Sequence, residues 1–142
     1  MALTFATIAY HFLMRLVVGG LVGFIMKNRA DYHKKWYREY RFEKRLYHIL
    51  RVKKWKNKLP TYYPEEFSLK KHSFSEVAQV MCQAEIVHEI IMVFSFLPLL
   101  ASLKFDSFLT WLITSVLAAG GDFLYVIIQR YNRPRVVRLA EK

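Results

Sequence analysis

The sequence predicts an all-α membrane protein with three transmembrane helices and a basic amphipathic interfacial helix between the first and second. Three observations carry that prediction. The apolar residues gather into three long runs, strongly charged stretches separate the runs, and no period-two alternation suggests strands. The chain has 142 residues and a mean hydropathy of +0.12, one domain's worth of sequence whose apolar content lies in blocks rather than spread through a globular core. It reads as a single membrane domain over 1–142, with spans at about 5–26, 77–103 and 108–128, a basic loop over 27–76 and a tail over 129–142.

Phe5 to Met26 matches the roughly 20 residues that a helix needs to cross a bilayer, and backbone groups in lipid must be satisfied within their own segment. This run lacks a basic start, carries Arg15 in its middle and ends in Lys27-Asn28-Arg29 rather than at a small-residue cleavage site, so it reads as a retained anchor. Gly19 and Gly23 form a Gly-x-x-x-Gly pattern that lets helices approach closely.

From Asp31 to Trp55 aromatics alternate with Lys and Arg. Tyr32, Trp36, Tyr40, Tyr47 and Leu50 fall at helical spacings, the pattern of a helix lying in the interface plane. Leu59-Pro60 ends it, because the residue before proline is driven out of the helical region. Ser73 or Ser75 then caps the second span, Val77 to Leu103, with Glu76 near the favourable end of its dipole. The turn Lys104-Phe105-Asp106-Ser107 leads into the third span, Phe108 to Ile128.

Between Lys27 and Lys71 fifteen Lys or Arg stand against five Asp or Glu, and the tail adds Arg130, Arg133, Arg135, Arg138 and Lys142. Retained positive charge marks the cytoplasmic side, so three spans in a cell membrane, with the N-terminus outside and the C-terminus cytoplasmic, satisfy both basic regions. The net charge of +11 would suit nucleic acid, but attraction to anionic lipid headgroups accounts for the same surplus, and no nucleic-acid partner is expected. The single cysteine, Cys82, leaves no intrachain disulfide and no thiolate metal cage.

Charged groups inside a span are costly and mark function by default. Glu85 and His88 share a helix face, with Glu89 four residues beyond Glu85. A histidine beside a carboxylate suits general-base work on a hydroxyl. Asp122, Tyr125 and Gln129 share a face of the third span, which leads into Arg130-Tyr131-Asn132-Arg133-Pro134-Arg135. Forked guanidiniums beside an amide suit a carboxylate or phosphate. Spans two and three begin and end on one side, so Glu85, His88, Asp122, Gln129 and Arg130 can converge. At about 1.5 Å per residue, Asp122 lies on the order of 9 Å and Arg15 on the order of 17 Å inside that boundary, and an Arg15–Asp122 pair would offset two expensive charges. A metal site from His72, Glu85 and His88 lacks any standard ligand spacing.

Three strings, Trp55-Lys56-Asn57-Lys58-Leu59-Pro60, Ala84-Glu85-Ile86-Val87-His88 and Ile128-Gln129-Arg130-Tyr131-Asn132-Arg133-Pro134-Arg135, resemble the glycosyl-4,4'-diaponeurosporenoate acyltransferase family in order and distance. The likeness spans roughly Val52 to Arg135. It departs from the family pattern at Glu89, where an aromatic is common after the histidine, and at Asp122-Phe123-Leu124, in place of Asn-x-Pro. The resemblance implies a small membrane enzyme that moves a fatty acyl group to a sugar hydroxyl at the last step of staphyloxanthin-type carotenoid synthesis. The leading expectation is that His88 acts as general base with Glu85 as its orienting partner, and that Gln129, Arg130, Asn132, Arg133, Arg135, Asp122, Trp55 and Lys56 form a substrate-binding set, with Arg130 and Arg133 on an anionic part of donor or acceptor. The expected partners are an acyl donor, a lipid-soluble acceptor, the bilayer itself, and a homo-oligomer or membrane complex; no cofactor is called for. The competing reading is a noncatalytic lipid-binding or scaffolding subunit of a membrane complex, whose polar pairs would serve only as interhelical bonds.

Overall fold

A computed structural model describes residues 2–61, 63–105 and 108–142, so Tyr62 and the Asp106-Ser107 part of the expected turn lie outside the described residues. Helix α1 spans Ala2–Met26, α2 Arg41–Ile49, α3 Val52–Trp55, α4 Phe74–Phe94 and α5 Phe108–Ala140, with 3-10 turns at Lys35–Tyr37, Pro64–Phe67 and Leu97–Leu103. The described residues contain no strand. Three segments, Thr4–Met26, Phe74–Leu103 and Phe108–Ala140, are long and apolar enough to cross a membrane.

Their outward faces agree with that. Phe24 is 76 % exposed, Leu117 70 % and Leu103 83 %, a density of exposed large apolar groups that water would penalise and hydrocarbon would not. Inside, α4 and α5 form the most extensive pair and α1 packs on α4. Met14, Val18 and Val22 of α1 close on Ile91 of α4. A second cluster joins Ala30, Tyr37 and Cys82, and a third joins Tyr47, Val52 and Ile127. Gly19 faces open space, and a methyl added at Gly23 would meet only the Gln83 amide at 3.9 Å, so the Gly-x-x-x-Gly pattern makes no close helix crossing within the chain.

The helix ends follow sequence chemistry. The Ser73 side chain accepts from the Glu76 N–H at 3.3 Å while Glu76 accepts from the Ser73 N–H at 2.7 Å, a reciprocal cap that starts α4. Helix α1 stops where Lys27 and Asn28 turn left-handed (φ 48° and 55°), and Asn28 is tied across to α4 through its N–H on the Gln83 amide oxygen at 2.8 Å. Asparagine tolerates that conformation better than most side chains.

The continuous helix expected over Asp31 to Trp55 is not formed. That stretch is a 3-10 turn, an extended piece through Tyr40, and the short helices α2 and α3, separated by left-handed Arg51 (φ 50°). The carbonyls of Trp36, Tyr37 and Arg38 accept from guanidiniums of α5 instead of from amides four residues on, which removes the bonds a helix there would need. At the other end, the α-helix of the second run gives way near Phe94 to 3-10 turns around Pro98, and α5 continues well past Ile128, through Pro134 to Ala140.

Candidate functional site

Polar side chains from α1, α4 and α5 meet in two adjoining clusters. In the first, Arg15 Nη2 of α1 lies 2.5 Å from Asp122 Oδ2 of α5 and donates also toward the Ala118 carbonyl at 3.5 Å. The expected Arg15–Asp122 pair is therefore formed. The other oxygen, Asp122 Oδ1, lies 2.8 Å from His88 Nδ1. A carboxylate can only accept, so the ring donates its Nδ1–H and Nε2 becomes the nitrogen able to take a proton. Tyr125 stacks on the His88 ring, centroids 4.7 Å apart and planes within 9°. Its hydroxyl donates to the Pro60 carbonyl at 3.0 Å, pinning the end of the loop over the histidine. The His88 side chain keeps 24 % of its surface open, whereas Asp122 is almost wholly covered.

One turn before Arg15 on α1 is His11, whose backbone carbonyl takes Arg15 Nη1 at 3.1 Å. Both His11 ring nitrogens are buried and have no partner among the described residues, and the same holds for Gln129 Oε1 and Ser115 Oγ. Buried polar atoms left this way are costly.

The second cluster is organised by Glu85, which is fully buried. Its Oε1 receives Arg130 Nη1 at 2.6 Å and its Oε2 receives Arg133 Nη1. Arg130 Nε also reaches Glu43 Oε1 of α2 at 2.6 Å. Further donors go to backbone: Arg130 to the carbonyls of Trp36 at 3.1 Å and Arg38 at 3.0 Å, Arg133 Nη2 to Tyr37 at 2.7 Å. Tyr37, whose ring lies beneath the Arg133 guanidinium at 4.9 Å, has its phenol pushed up to about 12, first by burial and then by Cys82 and Glu85, with Arg133 opposing. Burial also drives the Tyr47 phenol upward, and its hydroxyl donates to Glu43 Oε2 at 3.2 Å.

These contacts differ from two expected pairings. The carboxylate that holds His88 is Asp122, not Glu85. Arg130 and Arg133, expected to face a substrate anion, instead spend their forks on Glu85, Glu43 and the 36–38 carbonyls. Trp55 is also turned away, its Nε1 donating to the Leu50 carbonyl at 2.8 Å. Lys56 Nζ reaches Asn132 Oδ1 at 2.8 Å, which ties two expected residues to each other. Arg135 lies over Tyr131 at 4.3 Å and donates to its hydroxyl at 2.9 Å. His72 sits near Glu76 at 3.9 Å rather than with Glu85 and His88. The two departures from the family pattern both have partners: Glu89 accepts from Trp36 Nε1 at 3.1 Å, and Asp122 joins Arg15 to His88.

Sequence reasoning missed Glu43. The available signal was a lone carboxylate three residues after Tyr40 on a helix otherwise rich in Lys and Arg, a position from which it also accepts the Tyr40 N–H at 3.1 Å. It missed His11 as well, although a histidine one turn from an intramembrane arginine shares its face.

The family model described as glycosyl-4,4'-diaponeurosporenoate acyltransferase (CrtO) matches residues 33–142. That stretch contains both clusters except for the α1 residues. No curated protein and no solved structure matches the chain.

Proposed function

The chain belongs to the glycosyl-4,4'-diaponeurosporenoate acyltransferase family, and is an acyltransferase; on that premise we propose that it moves a fatty acyl group onto a hydroxyl of a membrane-dissolved glycolipid or glycosylated isoprenoid, with His88 as general base. The observation that carries the proposal is the Arg15–Asp122–His88 chain, at 2.5 and 2.8 Å, on helices apolar enough to cross a membrane. Asp122 fixes the ring so that Nε2 takes the acceptor hydroxyl proton as its oxygen attacks the acyl carbonyl. The ester C–O bond forms, the bond to the leaving group breaks, and the proton passes from His88 to that group. Proton transfer of this kind contributes on the order of hundredfold to ten-thousandfold in rate.

In this reading Glu85, Arg130, Arg133 and Glu43 form the frame that holds the loop against α5, rather than the substrate-binding set. The buried, unpartnered nitrogens of His11 and the Gln129 carbonyl oxygen would meet sugar hydroxyls only where the helices part to admit the acceptor. The basic face is cytoplasmic and the N-terminus lies outside, as the excess of Lys and Arg favours.

The test uses purified protein in lipid nanodiscs, supplied with a glycosylated lipid acceptor and an acyl donor, with the ester product followed by mass spectrometry. His88→Ala should abolish product while inserting and eluting as wild type does; undiminished turnover by that variant removes the proposed mechanism.

A further inference from the structure

Beyond the two polar clusters, the loop and the end of α5 enclose an open cavity of about 1220 Å³. It is lined by Arg38, Arg51, Lys53, Lys54, Arg135 and Arg138, together with Tyr32 and Tyr47. None of these six cations is ion-paired with a carboxylate among the described residues: Glu85 and Glu43 are taken by Arg130 and Arg133, and Glu39, the acidic residue in the wall, lies 3.8 Å from Lys44. Arg133 belongs to both features. It lines the cavity and is bonded to Glu85, three residues before His88 on α4.

We propose that this cavity binds the phosphate-bearing head of the acyl donor, and that the donor is a water-soluble nucleotide-linked thioester rather than a phospholipid. The inference rests on the acyl-transfer reading and supplies the anion site that Arg130 and Arg133, already neutralised, do not provide. Unpaired guanidiniums and ammoniums converging on one space are suited to several phosphates at once. The volume is far larger than one phosphate group requires and reaches the range of sites for whole small molecules. Tyr32 in the wall, partly exposed, adds a ring face on which a base can stack.

Depth separates the two sources of phosphate. The apolar run of α5 ends near Ile128, so at about 1.5 Å per residue Arg133 to Arg138 lie roughly 8 to 15 Å beyond it. The headgroup layer on one side is only about 5 to 8 Å thick, so most of the cavity faces water rather than lipid phosphates. The acyl chain would extend from the head toward His88. There the acceptor oxygen attacks the thioester carbonyl, the C–O bond forms, the C–S bond breaks, and the proton held by His88 Nε2 converts the departing thiolate to a thiol.

Binding of coenzyme A to detergent-purified protein, followed by isothermal calorimetry, tests this directly, with inorganic phosphate and phosphatidylglycerol vesicles as competitors. Wild type and His88→Ala should bind it with equal affinity and one-to-one saturation, which keeps the donor site separable from the catalytic reading. Lys53→Ala/Lys54→Ala should bind at least about tenfold more weakly, the loss expected from removing two charge-assisted contacts. The charge-matched control Lys35→Ala/Lys70→Ala should bind as wild type does. Equal weakening in both double variants would reduce the cavity to a generic basic surface and overturn the proposal. So would displacement of coenzyme A by phosphatidylglycerol vesicles but not by excess phosphate, since the cavity would then be a lipid headgroup site.

Discussion

At the scale of single residues, Asp122 rather than Glu85 contacts His88, and the consequence is measurable. Asp122 touches the proposed base, so Asp122→Asn keeps the side chain's size and removes the charge that orients His88 and balances Arg15. Product formation per folded molecule should fall on the order of hundredfold or more, because general-base efficiency depends on that orientation, and the unpaired Arg15 lowers stability as well. Glu85→Gln should act through stability alone. It leaves two buried guanidiniums without their shared counter-charge, a loss of roughly 3–5 kcal/mol, seen as poor recovery and a lower midpoint in detergent. If Glu85→Gln proved stable but inactive and Asp122→Asn active, the histidine's partner would have been misassigned. The sequence made the cost of each buried charge legible and paired Arg15 with Asp122. It could not choose which carboxylate meets His88, because Glu85 and His88 share a helix face while Asp122 reaches the same ring from another helix. Deciding between them takes the relative rotation of α4 and α5, which a spacing along one helix does not contain.

Among the elements, the three long helices were readable because length and hydropathy act without reference to neighbours. The basic loop was not. Its helical spacing is overruled where α5 guanidiniums take the carbonyls of residues 36–38, a competition between local and long-range acceptors. The extension of α5 has the same origin: proline disfavours helix at the preceding residue, yet Arg133 is held from Glu85 and from the Tyr37 carbonyl. Pro134→Ala should therefore stabilise the protein, by up to about 3 kcal/mol if the full cost of an interior proline is borne there; a lower thermal midpoint for that variant would show that the ring is required by its packing. The loop's own packing is testable through its phenols. Burial raises Tyr37 and Tyr47, so the folded state keeps their protons at pH values where the unfolded chain has released them. Their contribution to stability is complete below about pH 10, the ordinary tyrosine value, and is lost as pH rises toward the folded value of about 12 for Tyr37. In a near-ultraviolet titration, Tyr37→Phe and Tyr47→Phe should each remove tyrosinate absorbance from the late, alkaline part of the curve, and removal from the early part would mean the loop is not closed over them.

For the whole molecule, everything proposed about substrate access depends on which surfaces share a side of the bilayer. Within the structure the loop and the end of α5 are one unit, since Arg130 and Arg133 bond to residues 36–38 and Lys56 bonds to Asn132. In the proposed topology three crossings put that unit opposite the segment around Leu103, and the excess of Lys and Arg favours the inside of the cell for it. Thiol labelling can read this cleanly because Cys82, the native cysteine, is fully buried and contributes little background. Single cysteines introduced as Lys70→Cys, Leu103→Cys and Lys142→Cys all occupy exposed positions. With a membrane-impermeant maleimide, intact cells should label only Leu103→Cys, and permeabilised cells should label all three. Labelling of Lys70→Cys and Lys142→Cys in intact cells would invert the protein and bring its donor cavity to the outer surface, away from soluble cytoplasmic thioesters. If those two positions labelled from opposite sides, Arg130 could not reach residues 36–38 and the bonds that assemble the two clusters would be lost together.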